Sequence, residues 1–325
     1  QIDLATVPTN NFGEMHVGGD KDAATLPSFQ VTKIPYDGTL ALRFNYNITQ
    51  PSLYTPMLGT NFKPDLFSDR DLRLAFQYCV NISEIIQDVL YGEAFQPKTC
   101  MAEGTAFYNA SKLVRSIDIA KATQHFQAAW GGQVWSQGIT VRIFYNLGKT
   151  GQAIAQEIAS VIKNVIPWPD GVPVSIVASG FIWPDYLSLL NSGQLDVFYL
   201  GWSDFYPDPS SWISPVMYST GKFGAFQHFT YGLGNIAAEW WNGSSYGPPP
   251  YTNALGEYVD AMNNTYVDHL IDTALTQLPP VREPIFNELI DICYAEGLSL
   301  PLYQWITRVY RRSWLQGWAD TYNEN

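Results

Sequence analysis

Leu195-Asp-Val-Phe-Tyr-Leu-Gly-Trp-Ser-Asp-Phe-Tyr-Pro-Asp-Pro209 is the stretch on which the reading of the chain turns. Residues 197–200 are apolar in succession and read as a strand. Gly201 and Trp202 end it, and Pro207 and Pro209 make the next residues a turn-rich loop. In an open α/β sheet, ligands sit where strand ends feed loops. Taken alone, the stretch also suits a core tryptophan with two turn-capping aspartates, Asp204 and Asp208. Its neighbours weigh between the two.

Upstream, residues 173–178 read as a strand and 183–191 as a short helix. Before them, residues 139–146 form another strand. A helix comes next, with Ile154, Ile158, Val161, Ile162 and Val165 inward. Between the two stands Leu147-Gly148-Lys149-Thr150, the layout of a phosphate-binding loop. That motif needs its first glycine at position 143, which is Ile143, so nucleotide binding is set aside. Leu40, Leu42, Phe44 and Tyr46 alternate with smaller or polar residues as a half-buried strand. Asp69 or Asp71 caps a helix predicted to run to about residue 91, and Asp118 caps another at 119–130. Helices are expected at 265–277 and 282–296, then a closing strand at 298–306. Residues 219–257, rich in Gly, Pro, Tyr and Trp, read as a loop region. Strands alternating with helices mean an α/β fold with mostly parallel neighbours.

Composition excludes several functions. The net charge is −12, with no basic cluster beyond Arg311-Arg312, which argues against nucleic acid and anionic membranes as partners. Only 15% of residues are charged, against roughly 25% in ordinary domains, so Asn, Ser, Thr, Gln and Tyr carry the polar surface. No apolar run is long enough to span a bilayer. The chain begins with Gln, as expected of a processed product or of part of a longer chain that has lost a targeting segment. Cys79, Cys100 and Cys293 lack zinc-site spacing; Cys79 and Cys100 can bridge in an oxidising compartment, or all can be buried thiols. Sequons at Asn47, Asn81, Asn109, Asn242 and Asn263 fit a glycosylated exterior.

Little catalytic chemistry is visible. There is no Gly-x-Ser-x-Gly elbow and no HExxH, and His16, His125, His228 and His269 are scattered. Asp268, His269 and Asp272 read as a solvated helix face rather than metal ligands. Asp204 and Asp208 could form a glycosidase pair, but turn chemistry is the first reading. No metal site and no cofactor is expected, and the chain is read as a non-enzyme.

Several segments fit one pattern in order: Leu42-Arg-Phe-Asn-Tyr-Asn47; Asp65-Leu-Phe-Ser-Asp-Arg-Asp-Leu-Arg-Leu-Ala-Phe-Gln-Tyr-Cys-Val-Asn81; Leu90-Tyr-Gly92; Asp118-Ile-Ala-Lys-Ala; residues 194–209; Arg282 leading into Phe286-Asn-Glu-Leu-Ile-Asp; and Leu300-Pro-Leu-Tyr303. This arrangement resembles the family 5 extracellular solute-binding proteins, the peptide-, nickel- and sugar-binding components of ABC importers. It spans residues from about 38 to 318.

The resemblance implies a clam-shell receptor of the periplasmic-binding-protein type II fold. Residues 1–45 would be the last segment of the first lobe, 46–303 the second lobe, and 304–325 the return to the first. The chain resembles only the later part of the family pattern, so a missing N-terminal lobe is expected to complete the site. The implied partners are a small-molecule ligand, peptide or oligosaccharide, and a membrane permease. The implied location is extracellular or at the cell surface, anchored by a segment outside this chain.

The resemblance also implies ligand contacts. Trp202 matches the family's ligand-flanking aromatic, with Trp183 upstream and Tyr303 near the return crossing. Peptide binders place an aspartate three residues after that tryptophan, where this chain has Phe205; Asp204 lies one place early and Tyr206 one place late. Three residues before Trp202 stands Tyr199, and no Lys or Arg lies between Lys163 and Lys222. These departures favour a neutral, polar, sugar-like ligand, unless a bulge restores Asp204 to the ammonium role. The alternatives are a structural cell-surface protein reusing the fold and, less favoured, a glycosidase.

Overall fold

The structure is a computed structural model describing residues 4–6, 9–17, 20–48, 56–228, 251–259 and 264–315. The strands in chain order are β1 (Leu4–Thr6), β2 (Phe29–Phe44), β3 (Met57–Leu58), β4 (Asn61–Phe62), β5 (Ala94–Phe95), β6 (Ile139–Asn146), β7 (Val174–Phe181), β8 (Val197–Trp202), β9 (Tyr251–Thr252), β10 (Tyr258–Val259) and β11 (Ser299–Arg312). The helices are α1 (Arg70–Gln77), α2 (Ile82–Asp88), α3 (Ile119–Ala128), α4 (Gln133–Gln137), α5 (Lys149–Asn164), α6 (Trp183–Asn191), α7 (Ser210–Met217), α8 (Lys222–Gln227), α9 (Asn264–Thr276) and α10 (Pro279–Ala295).

One mixed sheet organises the fold, in the order β1-β11-β2-β8-β6-β3-β4, with β7 also on β6 and β5 on β11, while β9 and β10 pair as a separate two-stranded sheet. β6 is parallel to both β7 and β8, as helical crossovers allow. Every other pairing in the sheet is antiparallel, so the expectation of mostly parallel neighbours holds only at its centre. β2 and β11 come from distant parts of the chain and meet the sheet without a crossover helix. Helices cover both faces. Leu72, Phe76, Ile85, Phe126, Ile154 and Ile158, from α1, α2, α3 and α5, pack on one face against Val141, Ile143 and Val197. Tyr186, Trp212, Leu270 and Leu289, from α6, α7, α9 and α10, pack on the other against Phe144 and Phe198. Along β6 and β8 successive side chains therefore divide between two cores, which explains their near-continuous apolar runs.

The single helix predicted from residue 70 to about 91 is two helices. The Asn81 side chain accepts from Glu84 N–H and donates to the Glu84 carboxylate, capping α2 and breaking the run after α1. The closing strand is also longer than residues 298–306, and its partner begins at residue 29, not 40. Val31, Ile34 and Pro35 pair with Tyr310, Thr307 and Ile306, so this extension depends on non-local pairing.

The cysteines are free, and the Cys79–Cys100 bridge is not formed. Cys79 is buried just after α1, where its thiol donates to the Ala75 carbonyl. Asn47, Asn81 and Asn109 are partly exposed, and Asn242 and Asn263 lie outside the described residues.

Candidate functional site

The chain leaves β6 through α5 to β7 on one side, then returns through α6 to β8 on the other. Successive crossovers thus run in opposite directions, the first from β6 to β7 and the second from β7 back past β6 to β8, and their helices lie on opposite faces of the sheet. Such a reversal opens a crevice beyond the carboxyl ends of the two central strands. A pocket of about 420 Å³ lies there, lined by Asn146 at the end of β6, Gly201 near the end of β8, and the first residues of α5 and α6. Neither helix has a side chain capping its first turn. Their leading N–H groups, at the positive ends of the helix dipoles, are suited to ligand oxygens.

Aromatic rings form the pocket's walls. Trp183 opens α6, stays 44% exposed, and stacks on Tyr186 with ring centroids 6.0 Å apart. Tyr303 comes from β11 through a β-bulge: Pro301 pairs with Ala41 and Tyr303 with Leu40, leaving Leu302 as the extra residue. The bulge puts Leu302 and Tyr303 in the same core, where strict alternation would send Tyr303 to the opposite face. Pro301 suits this irregularity because it has no N–H to pair. The Tyr303 hydroxyl hydrogen-bonds Thr150 in the first turn of α5, and its ring meets Trp305 edge-on at 4.7 Å.

Tyr199 is buried, and its hydroxyl has no hydrogen-bond partner among the described residues. That hydroxyl would lie 2.1 Å from a Cβ added at Gly151, so glycine is required for the two to fit. Gly151→Ala should push the Tyr199 ring out of place and weaken ligand binding by about tenfold. Stability should change little, because alanine favours the helix by about 1 kcal/mol and offsets part of the clash. Titration calorimetry with a thermal melt on the same sample separates the two effects.

Trp202 lies elsewhere. It is three residues beyond Tyr199, so the strand turns it to the other face. Its ring meets Phe223 at 5.3 Å, and its indole N–H donates to Ser211 O at 2.8 Å. Phe205 and Tyr206 project outward from the following loop, 81% and 52% exposed. Asp208 is held by Arg282 at 2.7 Å and accepts from Ser210 N–H and Oγ. Burial opposes this, but Arg282 and Ser210 keep its carboxyl below the usual range. A carboxylate so engaged is poorly placed as a general acid.

Asp204, just past β8, is set against Asp37 of β2, beside the close approach of Gly38 to Ser203. Burial, then the hydrogen bond and charge of Asp37, push Asp204 up to about 7. A carboxyl raised in the folded state binds its proton more tightly there than in the unfolded chain. Its stabilising contribution is complete below its ordinary value of 3.8 and is lost as pH rises through about 7. Asp204→Asn should therefore gain thermal stability relative to wild type as pH rises across that window. A difference in melting temperature that stays flat with pH would remove the assignment.

Residues 12–224 match the family described as bacterial extracellular solute-binding proteins, family 5 Middle. The chain belongs to that family. No curated protein sequence matches it. Among solved structures, the Escherichia coli murein tripeptide binding protein MppA is 18% identical with a TM-score of 0.62. The match covers 97% of this chain and 50% of that one. The periplasmic binding protein DppA from Helicobacter pylori, in complex with the peptide STSA, is 16% identical with a TM-score of 0.61, covering 96% and 49%. NikA from Staphylococcus aureus, in complex with Ni(L-His)2, is 15% identical with a TM-score of 0.60, covering 96% and 53%. At these identities the likeness is one of fold, and the chain spans about half the length of each structure. Among the described residues no helix is long and apolar enough to cross a membrane.

In this family 5 chain the structure brings Trp183, Tyr199 and Tyr303 to one pocket and keeps Trp202, Asp204, Phe205 and Tyr206 off its lining. Sequence reasoning missed Leu40, Asn146, Gly148, Thr150, Gly151 and Trp305. Their signal is the strand–Gly-Lys-Thr–helix segment, which fails as a nucleotide loop yet still marks a crevice.

Proposed function

We propose that this chain supplies the ligand-binding half of an extracytoplasmic solute-binding component of an ABC importer. The observation that carries this reading is the aromatic-walled pocket at the β6–β8 reversal, with two helix N-termini at its edge. Pockets that capture polar solutes combine apolar faces with a few placed polar groups. Here Trp183 and Tyr303 offer the faces, and Thr150, Tyr199 and the leading N–H groups offer the polar contacts.

The ligand we favour is uncharged and rich in hydroxyl or amide groups: an oligosaccharide, or an oligopeptide held through its backbone. Among the described residues, no acidic side chain lines the pocket to receive an ammonium group. The peptide and metal–histidine complexes of the solved relatives are consistent with a ligand of this size. Residues 1–45 and 304–325 would then join a first lobe, with 46–303 as the second. The pairing of β2 with β11 supports this, since both strands continue past the pocket. Exposed Leu147, Ile182, Trp183, Phe205 and Tyr206 offer an apolar surface for that lobe to close upon. Delivery to a membrane permease and an anchor outside this chain complete the reading.

Titration calorimetry of the complete receptor against oligosaccharides and oligopeptides tests it. Saturable heat with one class is expected. A folded receptor that binds neither would overturn the proposal.

A further inference from the structure

Cys100 and Cys293 lie together although they come from distant parts of the chain. Both line one cavity of about 20 Å³ between the 96–115 segment, α10 and the start of β11, and each thiol is near enough to shift the other's titration. The segment is already tied to those elements by polar contacts. Gln96 donates to Pro301 O, Lys112 pairs with Asp291 at 2.7 Å, and Arg115 donates to Tyr294 O. Cys100 is partly exposed, and Cys293 is buried.

A buried cation stands beside this pair. Arg43 on β2 is 3% exposed, with its guanidinium 3.7 Å above the Phe223 ring. It makes no ion pair among the described residues, and its Nε and Nη1 have no hydrogen-bond acceptor there. The nearby groups able to carry a negative charge are the two thiols. The neighbouring Cys100 thiol, followed by the charges of Arg43 and Arg115, holds Cys293 toward its thiolate form against the effect of burial.

We propose that Cys100 and Cys293 are a disulfide-forming pair that, when oxidised, ties the 96–115 segment covalently to α10. The oxidant is a small disulfide, RSSR. Cys293 and burial hold the proton on the partly exposed Cys100, so Cys100 passes it to the Cys293 thiolate as it attacks one sulfur of RSSR, forming a mixed disulfide and releasing the first thiolate, which takes that proton from Cys293. Cys293, as thiolate, attacks the Cys100 sulfur, closes the bond and releases the second. Two electrons pass from the cysteine sulfurs to RSSR, and the two protons end on the released thiols. Because Arg43 and Arg115 stabilise the reduced form, the bond opens again in excess dithiol. Cys79, buried after α1 and bonded to Ala75 O, takes no part.

The test uses the full chain, reduced and then equilibrated with increasing ratios of oxidised to reduced glutathione. Samples are quenched in acid, labelled with maleimide in denaturant, digested and mapped by mass spectrometry. Cys100 and Cys293 should lose their label together and yield one cross-linked peptide pair, while Cys79 stays labelled. The oxidised protein should melt about 5 °C higher, reverting with dithiothreitol, since the bond closes a very long loop. Cys293→Ser should leave glutathione trapped on Cys100. The proposal fails if wild type keeps both thiols labelled at every ratio, holds glutathione stably on Cys100, or links through Cys79. The wild-type map decides the question even if the variant does not fold.

Discussion

Trp183→Ala weakens ligand binding by about thirtyfold, the equivalent of about 2 kcal/mol, and leaves the fold unchanged. The ring is nearly half exposed at the start of α6, so little of the core depends on it. Its loss removes one aromatic face of the pocket and frees space that water fills. Calorimetry measures the affinity, and circular dichroism checks the fold. Trp202→Ala should show the reverse pattern. That ring packs on Phe223 and donates to Ser211 O, so its removal costs stability first, with affinity changing less. Equal affinity losses in the two variants would show that Trp202 shares the pocket's work.

The second large effect concerns stability. Arg73 is 1% exposed and holds the turn after α10 to the start of α1. Its Nε and Nη2 donate to Glu296 O at 3.0 and 2.7 Å, and its Nη1 donates to Phe67 O and Ser68 O. The Glu296 carboxylate, fully buried, lies 3.3 Å from Nη2. Arg73→Met leaves that carboxylate without its cation and three carbonyls without their donor. The expected cost is about 3–5 kcal/mol, read as a lowered midpoint in guanidinium unfolding. Adding Glu296→Gln should recover part of it, because the stranded charge is gone. Burial already raises the Glu296 carboxyl, so the single variant should lose less at acid pH, where that group is protonated. A double variant no better than Arg73→Met alone would place the loss in the carbonyl contacts.

Local signals carried much of the fold. The N-cap at Asp118, the apolar runs of β6 and β8, and the helix periodicity of α5 act over a few residues and were legible. Asn81 was not, because an asparagine within a helical pattern becomes a cap only when Glu84 completes it. The extension of β2 and β11 was hidden for another reason. Residues 29–36 alternate weakly and include Pro35, and they become a strand only by pairing with 306–312.

The α/β order, the family pattern and the stock of aromatic residues available to a site are all written locally along the chain. Which of those aromatics share a site is a property of the folded sheet. Trp183 and Tyr199 share a pocket because the crossover from β7 runs back past β6 to β8, opposite in direction to the one before it, and Tyr303 joins them because one extra residue shifts β11 by half a pleat. Trp202 is excluded because it lies three positions, an odd offset, beyond Tyr199 along a strand. Cys100 meets Cys293 rather than Cys79 through packing across segments far apart in the chain. Crossover direction, bulges and long-range packing are set by the pairing of distant segments, and no short stretch of sequence encodes them alone.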